Sequence, residues 1–261
     1  MSAQPARGVA RRRVLLLDIG NSRVKWALMR GDRIGRQRAS VPGARPGVLP
    51  AALRRALPMH LDAIRLVSVS RKAPTRALAR ALRQATGVEA EVLATTARAA
   101  GVRCGYREPW RLGADRWAAV IGAHHLHMPR RAAVVVDVGT ALTIDFVSRS
   151  GQHGGGVIVP APELMVASLL RGTHGIRARA APGRQGAPSL FARSTHEALR
   201  QGSRHAAAGL IARACAEAGW RYGPGVVLVL TGGGAQALLP WLRRPYRVVP
   251  DLVLRGLAAL A

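Results

Sequence analysis

Two aspartates occupy nearly the same local sequence at two places in this chain. Leu15-Leu16-Leu17-Asp18-Ile19-Gly20-Asn21-Ser22 returns in altered form as Val134-Val135-Val136-Asp137-Val138-Gly139-Thr140-Ala141, 119 residues later. Each copy reads as a buried apolar strand that delivers a carboxylate into a glycine turn, followed by amide or hydroxyl side chains and a second strand. Such a turn exposes backbone N–H groups to an anion such as phosphate, and the aspartate can hold a metal ion or its water shell. Two copies facing one another would clamp a polyphosphate.

The first segment runs Asp18-Ile19-Gly20-Asn21-Ser22-Arg23-Val24-Lys25. If Val24 faces the core, strand alternation turns Lys25 to the other side, where its ammonium can meet phosphate charge. Alone, this stretch reads equally as a hairpin turn with a solvated lysine; its recurrence favours the phosphate reading. In the second copy Thr140 can hydrogen-bond a phosphate oxygen and Asp137 can bind a cation. A third segment, Gly113-Ala114-Asp115-Arg116, lies where a loop enters a helix, so N–H groups and the positive helix end sit beside a carboxylate. The alternative there is a capping aspartate with a solvated arginine. Thr231-Gly232-Gly233-Gly234-Ala235 follows one strand and precedes a helix, where an adenosine or ribose can approach backbone closely; a flexible connection fits the same residues. His124, His125 and His127 crowd one helix end without the carboxylates of a ligand set, and no metal is assigned to them.

These segments need strands and helices to hold them. Residues 14 to 19 and 23 to 29 read as a hairpin around Gly20-Asn21-Ser22, with a third strand over 33 to 39. Helical spacing covers 47 to 57 and 72 to 86, with a short β-rich run from Ala63 to Val69 between them. A connection over 101 to 112 leads into a helix from Asp115 to Met128, ended by Pro129. The second half repeats the order: strands 132 to 138 and 141 to 147, a turn at Gly154-Gly155-Gly156, a short strand and a helix over 162 to 171. A polar stretch from Arg177 to Pro188, a helix from about Thr195 to Ala218, a strand at 226 to 230 and a terminal helix complete it. The shared order predicts two lobes of mixed sheet flanked by helices, a duplicated α/β fold with a central cleft. The boundary falls near Pro129 to Ala132, giving an N-terminal lobe over 1–130 and a C-terminal lobe over 131–261.

At 261 residues the chain suits two such lobes. Its hydrophobic content is 49% with 4% aromatic, so Val, Leu, Ala and Ile must fill the interior, as in helix-covered sheets. No apolar run approaches the roughly 18 to 20 residues that cross a bilayer. The net charge of +27 raises the question of nucleic acid. The arginines are scattered through every segment, however, including Arg76, Arg80 and Arg83 on one helix face, and no aromatic stacking platform accompanies them. Specific nucleic-acid binding is therefore not expected. Of seven aspartates, four (Asp18, Asp115, Asp137, Asp145) fall within the glycine-containing segments, which marks those segments as chemical. Cys104 and Cys215 have no metal-ligand spacing and suit a reducing compartment, and the basic opening lacks a signal-like apolar core; a cytoplasmic protein is expected.

With Asp-x-Gly-Asn-Ser, Gly-Ala-Asp-Arg and Asp-x-Gly-Thr-Ala in this order, the chain resembles the type III pantothenate kinases of the actin/hexokinase/Hsp70-like superfamily. The likeness runs nearly end to end and includes Tyr106, Gly154-Gly155-Gly156-Val157-Ile158-Val159-Pro160, Ser194-Thr195-His196-Glu197-Ala198 and the closing Leu252-Val253-Leu254-Arg255-Gly256-Leu257. It implies ATP-dependent phosphorylation of pantothenate, the first step toward coenzyme A, in a ribonuclease H-like duplicated fold. It also implies Mg²⁺, a monovalent cation (K⁺ or NH₄⁺) and a homodimer whose substrate pocket is completed across the interface. By that likeness Asp18, Ile19, Gly20, Asn21, Ser22, Arg23, Val24, Lys25 and Thr140 contact ATP, and Asp137 helps bind the monovalent cation. Tyr106, Gly113, Ala114, Asp115, Arg116 and Thr195 line the pantothenate pocket, with Asp115 as proton acceptor. Asp18 would serve Mg²⁺ directly or through water, and Arg116 offers a fork for a carboxylate or hydroxyl. The sequence departs from the family pattern at Ala161, where glycine is usual, and at Gly234, where aspartate is usual. Two other readings remain open on the residues alone: a different phosphotransferase or phosphohydrolase of the same superfamily, and a basic regulatory or nucleic-acid-binding protein on the same scaffold.

Overall fold

A computed structural model describes residues 12–43, 47–69, 72–127, 131–180 and 189–260. The described residues form two compact units, the first ending at Ala94 and the second running from Thr95 to Leu260. In the first unit, strands β1 (Arg13–Ile19), β2 (Val24–Arg30), β3 (Arg33–Ile34) and β4 (Arg38–Ser40) precede α1 (Ala51–Ala56), β5 (Ala63–Ser68), α2 (Lys72–Thr86) and β6 (Ala90–Val92). The sheet order is β3-β2-β1-β5-β6, with β4 also on β2; β1 and β2 are antiparallel, and β1, β5 and β6 run parallel. Leu15, Leu17 and Ile19 turn one face of β1 into the core, where Leu53 of α1 and Leu78 and Leu82 of α2 cover it. Asp18 belongs to the other face by strand alternation.

The second unit opens with β7 (Arg98–Ala99) and β8 (Val102–Arg103), a 3-10 turn at Pro109–Arg111 and α3 (Ala114–His127). Strands β9 (Ala133–Val138), β10 (Ala141–Val147) and β11 (His153–Pro160), helices α4 (Pro162–Gly172), α5 (His174–Arg179) and α6 (Thr195–Tyr222), then β12 (Val227–Thr231), α7 (Ala235–Leu238), β13 (Tyr246–Val248) and α8 (Leu252–Ala258) follow. Its sheet order, β11-β10-β9-β12-β13, repeats the first unit's: three antiparallel strands, then two parallel to the first of them. Val134, Val136, Val138, Leu142 and Ile144 form the face packed on Ala207, Ile211 and Cys215 of α6. Asp137, Thr143 and Asp145 belong to the opposite face, on which α3 packs.

Several expectations change in detail. The single strand over 33 to 39 is two short ones, because the register on β2 shifts by one residue between Met29↔Ile34 and Trp26↔Arg38; Gly35, whose N–H donates to Leu28 O at 2.9 Å, still keeps the first register. The helix over 47 to 57 shortens to α1, bounded by Pro50 in an extended conformation and by Leu57, extended before Pro58. The Gly154-Gly155-Gly156 turn is instead part of strand β11. Pairing with β10 shifts between Asp145↔Gly156 and Val147↔His153, so Gly154 and Gly155 together oppose Phe146. This is a β-bulge, and Gly155 accommodates it at φ 92°. Strands β6 and β13, three residues each, were too short and too polar to be read from sequence. Residues 181–188 of the expected polar stretch, and Pro129, lie outside the described residues, whereas Arg177–Arg179 end helix α5.

The compact units divide between Ala94 and Thr95, earlier than the boundary drawn near Pro129 to Ala132. The reason is the packing of α3. Gly122 of α3 and Gly256 of α8 let the two helices meet backbone to backbone, since a Cβ on Gly256 would strike Ala118 O and one on Gly122 would strike Leu252 O. Helix α3, though encoded before the second motif, is built into the second unit. Among the described residues, no helix is long and apolar enough to cross a membrane.

Candidate active site

At the end of β1, Asp18 pairs across the ladder with Lys25, and the two side chains form an ion pair of 3.5 Å. Val24 is buried in the core, so the alternation that sends Lys25 to the carboxylate side is realised. The turn closes when Gly20 N–H donates to Arg23 O at 2.9 Å, leaving residues 20 to 23 between the paired Ile19 and Val24. In the second unit Gly139 N–H donates to Ala141 O at 2.9 Å, and Val138 pairs with Leu142, so this turn is one residue shorter. The register partner of Asp137 is therefore Thr143, not a lysine.

Asp137 is also paired in register with Thr231 at the end of parallel strand β12. The two motifs at Asp137 and Thr231 thus lie side by side at the carboxyl ends of β9 and β12, the edge where open α/β sheets bind ligands. Gly232, at φ 91°, lies so close that a Cβ would strike Asp137 Oδ1 and Val138 O. A cradle kept clear of side chain against a carboxylate suits an oxygen-ligated cation. Among the described residues no group of three or more His, Cys, Asp or Glu side chains could hold a metal. That donor set fits ions that take carboxylate, backbone and substrate oxygens rather than an all-protein cage. At Gly234 a Cβ would lie 2.8 Å from Val138 Cγ1, so this departure from the family pattern sits where the turn has little room.

The third segment opens α3. Asp115 lies in the first turn, with its Oδ1 so placed that a Cβ on Gly113 would come within 2.7 Å of it. Burial pushes the Asp115 carboxyl above its ordinary value; the N–H groups of Arg116 and Asp115 and the Arg116 charge oppose the rise, and the Asp145 charge adds to it. A carboxylate kept basic by burial at a helix N-terminus is equipped to accept a proton.

Arg116 is buried, and its fork is engaged within the protein. Nε donates to Asp145 Oδ2 at 2.8 Å, Nη2 to Asp145 Oδ1 at 2.7 Å, and Nη1 to the Tyr106 hydroxyl at 3.1 Å. The guanidinium carbon also stands 5.8 Å from the Tyr106 ring centre. Burial alone would lower its pKa, but the hydrogen bond and charge of Asp145 prevail and the shift is upward. His153, fully buried, adds its Nε2 to Asp145 Oδ1 at 3.0 Å and stacks on Tyr106 at 5.9 Å. Sequence reasoning counted Asp145 among the aspartates of the chemical segments without assigning it a partner, and gave His153 no role. The signal was present: a carboxylate in the middle of the apolar run Leu142 to Val147 needs a partner.

Among the proposed pantothenate residues, the structure thus brings Tyr106, Gly113, Ala114, Asp115 and Arg116 together in one unit. Thr195, in the same unit, is the first residue of α6, following the N-cap Ser194, whose hydroxyl accepts from Glu197 N–H at 3.3 Å. His124 is buried and held below its ordinary pKa by that burial, with His125 adding to the effect. His125 Nε2 bonds Ala100 O at 2.8 Å and so holds the loop there.

A strand hairpin ending in Asp-x-Gly, continued by parallel strands and made twice, is the architecture of the actin/hexokinase-like ATPases. A solved structure from Sinorhizobium meliloti, provisionally described as a 2-dehydro-3-deoxygalactonokinase, superposes with TM-score 0.62 at 18% identity, covering 95% of this chain and 98% of its own. The family model of type III pantothenate kinases matches residues 14–217. A type III pantothenate kinase from Alkalilimnicola ehrlichii is 40% identical over 248 residues, 95% of this chain and 97% of the relative. One from Halorhodospira halophila is 40% identical over 256 residues, 92% and 96%. The chain belongs to the type III pantothenate kinase family.

Proposed function

We propose that this chain transfers the γ-phosphoryl group of ATP to the primary hydroxyl of pantothenate. The observation that carries the reading, beside family membership, is Asp115: a carboxylate held basic by burial, on the helix turn that also carries Arg116 and adjoins Tyr106. Asp115 accepts the hydroxyl proton as the oxygen attacks. Because phosphoryl transfer passes through a loose transition state, alignment and charge neutralisation matter more than early deprotonation. The turn residues Asp18, Ile19, Gly20, Asn21, Ser22, Arg23, Val24 and Lys25 serve the ATP phosphates, with the Lys25 ammonium as the fixed positive charge, and Thr140 adds a hydroxyl donor. Tyr106, Gly113, Ala114 and Thr195 bind pantothenate, and Arg116, whose fork is held by Asp145 and Tyr106, orients that pocket.

Asp18 and Asp137 are the carboxylates for cations, Asp18 for Mg²⁺ directly or through water and Asp137 for K⁺ or NH₄⁺. When bound, these ions neutralise phosphate charge. The protein acts as a homodimer in the cytoplasm. The test is a coupled assay of ADP release with ATP, Mg²⁺ and pantothenate, with and without K⁺. Pantothenate-dependent ADP release that K⁺ stimulates is expected; ADP release indifferent to pantothenate overturns the reading.

A further inference from the structure

We infer that Asp145 and His153 are positioning residues for phosphoryl transfer: through Arg116 and Tyr106 they fix the helix turn that presents Asp115 and the loop that adjoins it. The inference rests on the activity proposed above, since it concerns how that site is held.

The geometry forms a closed chain of contacts among three parts of one unit. Asp145 on β10 grips Arg116 on α3 through two parallel bonds, the arrangement that fixes a guanidinium in plane as well as in position. Because Arg116 follows Asp115 directly in the first turn of α3, fixing one limits where the other can point. His153 on β11 holds Asp145 in turn, and its own orientation is set from the backbone. Gly105 N–H donates to His153 Nδ1 at 3.3 Å. That bond requires a lone pair on Nδ1, so the ring proton sits on Nε2 and is donated to Asp145 Oδ1. Gly105 precedes Tyr106, whose hydroxyl accepts from Arg116, and the circuit returns to α3.

Two glycines keep the circuit tight. A Cβ on Gly105 would strike His153 O, and one on Gly156 would strike Ile144 O and Asp145 Oδ1. The bulge at Gly154 and Gly155 shifts the register so that Gly156, rather than a residue with a side chain, lies opposite Asp145. Arg116, Asp145 and His153 are 6%, 2% and 0% exposed. Burying such a pair seldom stabilises a fold more than apolar residues of the same volume would. The network is therefore better explained by what it orients than by what it contributes to stability. It also has an electrostatic consequence. The charged groups bearing on Asp115 are Arg116 on its own helix and Asp145 on β10, with opposite effects, and Asp145 offsets the guanidinium that would otherwise make Asp115 a weaker base.

The experiment measures pantothenate kinase activity against pH for the wild type, Asp145→Asn, His153→Phe and His153→Gln, with KM for ATP and thermal unfolding recorded for each. His153→Phe keeps a ring beside Tyr106 and loses the donor to Asp145; His153→Gln offers an amide donor in its place. The expected result for His153→Phe is a fall in kcat of about tenfold to a hundredfold, the scale of a misplacement of about 1 Å, with KM for ATP unchanged. His153→Gln recovers part of that loss. Asp145→Asn moves the acid limb of the rate profile to lower pH, because Arg116 then acts on Asp115 without its counter-charge; a purely structural role would not move that limb. Should Asp145→Asn fail to fold, the His153 pair decides. Wild-type turnover with both His153 variants unchanged in kcat, or with kcat falling only as far as melting temperature does, overturns the inference alone. Absence of wild-type turnover on pantothenate overturns the proposed activity and this inference with it.

Discussion

Gly156→Ala probes the tightest point of the Arg116 network with one methyl group. Gly156 lies outside the positive-φ glycines, so the cost is steric and not conformational. The added Cβ meets Ile144 O and Asp145 Oδ1 and comes within 2.7 Å of Arg116 Nη2. Ile144 O is backbone in the neighbouring strand and cannot swing aside. Either β11 separates locally from β10, or Asp145 rotates and gives up its 2.7 Å bond to Arg116 and its 3.0 Å bond from His153. Overpacking of this kind costs about 1–3 kcal/mol, and breaking one partner from a buried charge pair costs about 3–5 kcal/mol. Relief is partial along both routes, so a loss of about 3 kcal/mol is expected. At roughly 2–4 °C per kcal/mol for a chain of this size, the melting temperature falls by roughly 6–12 °C. The assay is thermal unfolding followed by circular dichroism, with kcat and KM for pantothenate measured well below the transition. Gly202→Ala is the control: Gly202 lies within α6 with open space around its Cβ position, and the change is expected to stabilise by about 0.5–1 kcal/mol. A Gly156→Ala protein that melts within about 1 °C of wild type and keeps its kcat would refute the reasoning, because it would mean the strands are not held at the separation described.

Asp115→Asn is expected to lower kcat by about 10²–10⁴-fold while leaving ATP affinity nearly intact, by single-turnover kinetics and nucleotide titration; equal losses in both would make Asp115 a nucleotide or metal ligand instead. The same variant has a stability signature. The Asp115 carboxyl titrates above its unfolded value, so the native state loses stability as pH rises through that window and the group ionises. Asp115→Asn therefore melts progressively higher than wild type as pH rises from the acid side toward neutrality, and a constant difference at all pH values counts against the buried carboxylate. Lys25→Met removes the ammonium beside Asp18 and is expected to lower kcat/KM for ATP by about tenfold or more, as for loss of a charge-assisted bond, with KM for pantothenate little changed. Gly232→Ala strains a φ of 91° and drives a methyl into Asp137 Oδ1; about 2 kcal/mol of stability is lost, and K⁺ stimulation of turnover falls in the same variant.

The paired hairpins were legible because their signal is local. An apolar run, a carboxylate and a glycine fix a strand, its end and its turn without reference to anything distant, and the alternation that placed Lys25 beside Asp18 needs only strand geometry. The compact units divide elsewhere than the motif repeat does, because repeat spacing tracks the motifs, whereas compactness follows where α3 packs, and the close approach of Gly122 to α8 and Gly256 to α3 joins residues far apart in sequence. The pairing of Asp145 with Arg116 and His153 was missed for a related reason. Asp145 is 29 residues from Arg116 and His153 eight residues further, and the connection between them runs through a bulge. Reading Gly154-Gly155-Gly156 as a turn removed the register that puts His153 beside Asp145. One unpaired carboxylate in an apolar strand followed by a glycine triplet is the local trace such a device leaves.

The two hairpins also differ in the ladder partner each gives its carboxylate. The first turn is four residues long and brings Lys25 opposite Asp18; the second is one residue shorter and brings Thr143 opposite Asp137. Neighbours directly across a ladder interact most strongly, so the first carboxylate is matched by a cation and the second by a neutral hydroxyl. On the function proposed above, the first turn offers an ammonium to phosphate, while the second carries its carboxylate at the ends of β9 and β12, where Gly232 leaves no room for a side chain. The proposed division of roles, a cation at the second turn and phosphate at the first, rests on that difference, and exchanging the two ladder partners, Lys25→Thr with Thr143→Lys, is expected to abolish turnover in the coupled assay.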